Sequence, residues 1–185
     1  MDIKILFIIA IGILVFTSVY MYFDSKKYRK EFSKFEKRII DDRKYKDIIE
    51  YAISHMDGYE FEDFIEKLFK LSGVRTKKTP SSRDFGKDII LKTAEGICYV
   101  ECKCYGRRNK ISSEKINKLI GSCTADGVDK ALFITTSSYT NDALTVINNA
   151  NKNGMNIENW DTDDILKLCL KVDKIKVLDY LDLSI

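Results

Sequence analysis

The chain of 185 residues has one histidine, His55. That scarcity removes whole classes of chemistry. Ser-His-Asp hydrolysis, histidine general-base catalysis and histidine-metal nuclease sites all lack their central residue. His55 reads as a surface or helix-end residue ahead of the predicted catalytic domain. There is also no C-x-x-C pair among the five cysteines, and no nearby histidine to complete a zinc site. Cys98, Cys102 and Cys104 share strand parity, so they face away from Glu101 and Lys103. They read, with Cys123 and Cys169, as reduced and buried thiols.

Large net charge is lacking too: the formal sum is only +3. Its distribution is uneven. Residues 24–46 carry ten Lys/Arg against five Asp/Glu, and residues 74–110 carry ten against four. A basic surface around an acidic pocket suits a polyanion.

Residues 5–23 run nineteen positions without a charge. At 1.5 Å per residue such a helix just crosses a hydrocarbon core of roughly 30 Å. The bulky residues from Val19 to Phe23 disfavour a signal-peptidase site, so a retained anchor is expected. Lys26, Lys27, Arg29 and Lys30 follow it, which by the positive-inside bias places the bulk of the chain in the cytoplasm. The expected organisation is a short outer terminus over 1–4, a transmembrane helix over 5–23 and a basic helical stalk over 24–56. A catalytic domain over 57–171 and a tail over 172–185 complete it. The stalk can face anionic lipid or support a homodimer.

Within the domain, periodicity predicts a helix over 59–71 with Phe61, Phe64, Ile65, Leu68 and Phe69 as its apolar stripe. Strands follow over 74–79, 87–93 and 97–104, then a basic loop over 105–110. A helix capped at Ser112 or Ser113 ends near Gly127. The strand 130–136, a helix capped near Thr140, the strand 155–160 and a helix over 161–171 complete the order. This is an α/β protein with a mixed central sheet and helices on both faces.

The chemistry lies in the paired strands. Asp88 on one, with Glu101 and Lys103 on the next, is an acid followed by acid-x-lysine. On a hairpin the two carboxylates can share a hard cation with the Cys102 backbone carbonyl, water and a phosphate oxygen. Mg²⁺ is expected, with Mn²⁺ as a substitute. Lys103 is placed to orient or deprotonate the attacking water. Glu62 on the first helix is a further catalytic candidate, and Asp84 an outer one. Gly86 between the two aspartates permits positive φ or a close approach. Arg83, Lys87, Arg107, Arg108 and Lys110 are candidate DNA contacts, and Thr136 and Ser137 candidate phosphate donors.

Phe61-Glu62, Asp84-x-Gly86-x-Asp88, Glu101-Cys102-Lys103 and the run from Phe133 to Thr140 resemble the Mrr-type catalytic domain, a branch of the restriction-endonuclease-like PD-(D/E)xK nucleases. The resemblance spans roughly residues 57–170. It implies a restriction-endonuclease-like core and Mg²⁺-dependent cleavage of DNA; the residues by themselves do not choose DNA over RNA. Many such domains carry Gln where this chain has Glu101. The expected function is a membrane-anchored DNA endonuclease; the competing one is a membrane-tethered nucleic-acid-binding or scaffolding module without catalysis.

Overall fold

The computed structural model describes Tyr22, residues 25–27, 29–30, 41–80, 86–106 and 108–182. The chain divides into two units, Asp41–Val177 and a second made of Met1–Ile40 with Leu178–Ile185. In the second unit the described residues 22, 25–27 and 29–30 are helical. The predicted membrane span lies outside the described residues except for Tyr22. Among those described, no helix is long and apolar enough to cross a membrane.

The unit Asp41–Val177 begins with α1 (Asp42–Ser54) and α2 (Gly58–Leu71). β1 (Arg75–Lys78), β2 (Ile89–Thr93) and β3 (Gly96–Lys103) follow, then α3 (Ser113–Asp126). β4 (Lys130–Thr135), α4 (Asn141–Lys152), β5 (Asn156–Trp160) and α5 (Thr162–Lys171) come next, and α6 (Lys174–Tyr180) runs across the unit boundary. The five strands lie in chain order in one sheet. β1, β2 and β3 pair antiparallel, while β3, β4 and β5 pair parallel. The mixed sheet expected from sequence is what forms.

Several helices start where a side chain satisfies the orphan amides, although α3 begins after Ser112 with no side-chain cap. Asp57 and Glu60 close a capping box at the start of α2, and Asp161 and Asp164 close another at α5. α3 stops at Gly127, whose φ of 67° is left-handed. β4 is buried from Ala131 to Thr135, as a strand flanked on both edges and covered on both faces must be.

Two apolar layers sandwich the sheet. One joins Tyr99, Ala131, Phe133 and Ile157 to Ile116, Leu119 and Cys123 of α3 and to Ala143 and Ile147 of α4. On the other, α2 lies over β1 and β3, and its five stripe residues are all buried. Burying each contributes about 1.5–3 kcal/mol.

One boundary differs from expectation. The segment Asp42–Ser54, read as the end of a stalk, packs against α5 within the compact unit. Tyr45, Ile49 and Ile53 are 0–2 % exposed, and the Tyr45 hydroxyl donates to the Cys169 carbonyl at 3.3 Å. The 4-3-4 pattern upstream slips at Asp42 because a new 4-4 stripe begins at Tyr45, aimed at a core instead of a partner helix. Lys174–Tyr180, read as part of a tail, is helical.

Among the described residues all five cysteines are free thiols. Burial pushes the Cys98 and Cys169 thiols up to about 12 and Cys123 to about 11.

Candidate active site

The site is built where β2 enters the sheet beside the end of β3. The register pairs Ile89 with Val100, which sets Asp88 across from Glu101. The Asp88 amide donates to the Val100 carbonyl at 2.7 Å. Its carboxylate Oδ2 accepts from the Cys102 amide, also at 2.7 Å. The Thr79 amide donates to the Asp88 carbonyl at 2.9 Å, and the Thr79 hydroxyl donates to the Lys87 carbonyl at 2.5 Å. Asp88 is therefore gripped by strands on either side.

Glu101 and Lys103 share one face of β3, as strand periodicity requires. The Lys103 ammonium lies 2.5 Å from Glu101 Oε1 and 3.6 Å from Asp88 Oδ2, and donates to the Cys102 carbonyl at 2.8 Å. Asp88 is 5 % exposed and Glu101 3 %. Burial, then the Asp88 carboxylate, pushes Glu101 up to about 7. Burial by itself would lower Lys103, but Glu101 and Asp88 outweigh it and the amine is held above its ordinary value.

These groups open on a cavity of about 370 Å³ lined by Asp57, Tyr59, Glu62, Thr79, Asp88 and Lys103. Glu62 reaches it from α2, with Lys78 at 3.6 Å. Burial and then Asp88 raise the Glu62 carboxyl, against Lys78 and Lys103. A larger cavity, about 530 Å³, opens beyond the carboxyl end of β3, lined in part by Cys104, Tyr105, Ser138 and Asp163. Its described lining holds no lysine or arginine, so the phosphate chemistry belongs to the smaller one.

The donor set fits a hard divalent cation. Two carboxylates and the Cys102 carbonyl already surround one positive charge, that of Lys103. Glu101 Oε2 is buried without a hydrogen-bond partner, a lone oxygen a metal would satisfy. Among the described residues no cluster of three or more His, Cys, Asp or Glu side chains has ligand geometry. A bound cation would draw its third protein ligand from the Cys102 backbone carbonyl.

The other candidates separate. Arg83, Asp84 and Arg107 lie outside the described residues. Arg108 and Lys110 are exposed on the loop after β3. Lys87 points elsewhere: its ammonium pairs with Asp126 and lies 4.1 Å from the Tyr99 ring, tying the hairpin to α3. Thr136 is a loop clasp. Its hydroxyl accepts from the Tyr105 amide at 2.8 Å and donates to the Tyr105 carbonyl at 2.9 Å. Ser137 Oγ is buried without a partner instead of facing a phosphate.

Sequence reasoning missed Lys78, Thr79, Tyr59 and Lys118. Lys118 on α3 runs its side chain across Gly86. Within KINKLI it has no spacing relation to the acidic motif, so nothing in the sequence marked it.

The comparisons with known proteins fit this geometry. The chain is 28% identical over 129 residues to the uncharacterized protein y4cE of Sinorhizobium fredii (strain NBRC 101917 / NGR234), covering 68% of this chain and 32% of that protein. The chain thus spans about a third of that relative's length. Among solved structures, the DNA modification-dependent restriction endonuclease AspBHI superposes with a TM-score of 0.55 at 21% identity, covering 75% of this chain and 39% of that one. The restriction endonuclease MspJI, solved with a 27-mer oligonucleotide, gives 0.44 at 16% identity over 83% of this chain and 35% of its own. The AspBHI likeness supports a restriction-endonuclease-like fold. The Mrr_cat family, described as restriction endonuclease, matches residues 53–169, more than half of the sequence, and the chain belongs to that family.

Proposed function

We propose that this protein is a membrane-anchored, Mg²⁺-dependent DNA endonuclease. The observation that carries the catalytic part is the convergence of Asp88, Glu101, Lys103 and the Cys102 carbonyl within 3.6 Å of one ammonium group. The anchor rests on the uncharged run 5–23 alone, and places the nuclease unit on the cytoplasmic side of the cell membrane.

Asp88, Glu101 and the Cys102 carbonyl would hold Mg²⁺ or Mn²⁺, which when bound polarises the phosphate and lowers the pKa of water. The remaining work belongs to side chains. Asp88 is immobilised by the Cys102 amide, so its carboxylate needs no reorganisation. Glu101 and Asp88 hold the Lys103 amine above its ordinary value against burial. It orients the nucleophilic water and offsets charge on the phosphorane. Glu62, whose carboxyl burial and then Asp88 raise, lines the same cavity and is the candidate proton acceptor. Arg108 and Lys110 meet the DNA backbone on the exposed loop.

The test is nicking of supercoiled plasmid by the detergent-solubilised full-length protein, with and without Mg²⁺, beside Asp88→Ala. Metal-dependent nicks absent from the variant are expected. Salt-sensitive binding without any cut would instead make it a tethered binding module.

A further inference from the structure

The β1–β2 ladder carries a charge arrangement that folding by itself disfavours. Arg75 stands directly opposite Lys92, and Lys77 opposite Ile90. Directly opposed residues of an antiparallel pair share a face, and like charges so placed repel. Positions two apart along a strand share that face as well. The ladder runs on past Lys78, where the Thr79 amide donates to the Asp88 carbonyl at 2.9 Å. Arg75, Lys77 and Thr79 thus form one row, with Lys92, Ile90 and Asp88 beside it. The row ends at the catalytic cavity, which Thr79 and Asp88 line.

The other face of β1 is different. There the Thr76 hydroxyl donates to Glu66 at 2.8 Å, and the Lys78 ammonium lies 2.6 Å from Asp63 and 3.6 Å from Glu62. All three acids come from α2. Arg75, Lys77 and Lys92 are exposed, and among the described residues no carboxylate pairs with them. Charged side chains on an edge strand deter pairing with another sheet, which accounts for Arg75 and Lys77. It does not account for Lys92, since β2 is an inner strand between β1 and β3.

We infer that Arg75, Lys77 and Lys92 form a track for the sugar-phosphate backbone of a DNA strand beside the phosphate being cut. This rests on the nuclease reading. Residues two apart along the strand are separated by about 6.8 Å, the axial length of two phosphate steps of a duplex strand at about 3.4 Å each. From Thr79 back to Arg75 is about 14 Å, so several nucleotides lie along the row while the cut phosphate lies at Asp88. The phosphates supply the anions that the protein lacks on this face. Bound DNA turns the repulsion between Arg75 and Lys92 into attraction for a shared partner.

The experiment measures binding of a fluorescent DNA duplex to the detergent-solubilised full-length protein across a salt series in Ca²⁺. Plasmid nicking in Mg²⁺ and melting curves of the DNA-free protein run alongside. The triple variant Arg75→Gln, Lys77→Gln, Lys92→Gln is expected to lower the slope of log K against log salt by about 2.7, at about 0.9 for each of three phosphate contacts. Arg75→Lys should keep the slope. Lys92→Glu separates binding from folding. It gives Arg75 a cross-strand partner, so the free protein should melt at or above the wild-type temperature while DNA affinity and salt slope fall. An unaltered salt slope in the triple variant overturns the inference. So does Lys92→Glu melting below the wild type, which would make Lys92 a support of the fold. Unaltered slopes in a protein that still nicks plasmid with Mg²⁺ overturn the track and leave the nuclease reading standing. Wild-type protein that neither binds nor cuts DNA overturns both.

Discussion

The Cys102 amide donates to Asp88 Oδ2 at 2.7 Å, so the backbone of one strand fixes the carboxylate of its neighbour. The residue that supplies this amide also offers its carbonyl to the Lys103 ammonium at 2.8 Å. One peptide segment around Cys102 thereby orients both the Asp88 carboxylate and the Lys103 ammonium. This separates the geometric role of Asp88 from its charge.

Asp88→Asn keeps an oxygen that accepts from the Cys102 amide but removes the negative charge. The fold should survive, with a melting temperature near that of the wild type. Plasmid nicking should fall at least about 100-fold, the scale of losing one preorganised electrostatic group. A variant that unfolds would show instead that Asp88 is mainly structural.

Lys103→Met should abolish cleavage and also destabilise the metal-free protein. It leaves Glu101 and Asp88 buried without their counter-charge, a loss on the order of 3 kcal/mol. Mg²⁺ should then restore stability to the variant more than to the wild type, because the ion binds only the folded form. Melting curves with and without Mg²⁺ read both effects.

Glu101 sets a pH dependence. Burial, then Asp88, raises its carboxyl from the ordinary glutamate value of 4.5 to about 7. Between those values the folded protein binds more protons at this group than the unfolded chain. Its contribution therefore favours folding at low pH and is lost as pH rises through that window. Metal-free protein should lose this increment in melting temperature between pH 5 and 7.5. Glu101→Gln should flatten that slope, and Mn²⁺ affinity of the wild type should climb over the same interval, because the ligand must be ionised. A slope equal in wild type and Glu101→Gln would contradict the assignment.

α1 belongs to the catalytic unit. Ile49 is 0 % exposed, so Ile49→Ala should cost about 2–5 kcal/mol in chemical denaturation. A chain beginning at Gly58 should lose the packing of α1 on α5 and melt well below one beginning at Asp41. Equal midpoints for the two would return α1 to the role of a linker.

Much of the fold follows from the chain's own patterns. The stripe from Phe61 to Phe69 has helical period, so its burial can be read residue by residue, whereas β3 is buried at four consecutive positions from Tyr99 to Cys102 because both of its faces are covered. The acid–acid–lysine order is equally local, because a hairpin pairs neighbours and two-residue spacing places Glu101 and Lys103 on one face. What local pattern cannot carry is which distant element arrives beside them. The 4-4 stripe of Tyr45, Ile49 and Ile53 suits a coiled coil or a core, and only the packing against α5 chose the core. Lys87 and Lys118 are both basic and near the motif, yet Asp126 captured the first and Gly86 let the second pass. Sequence spacing determined which groups could meet a metal ion; the packing of α3 against Gly86 decided where the Lys118 stem lies, since that contact joins residues whose separation encodes no period.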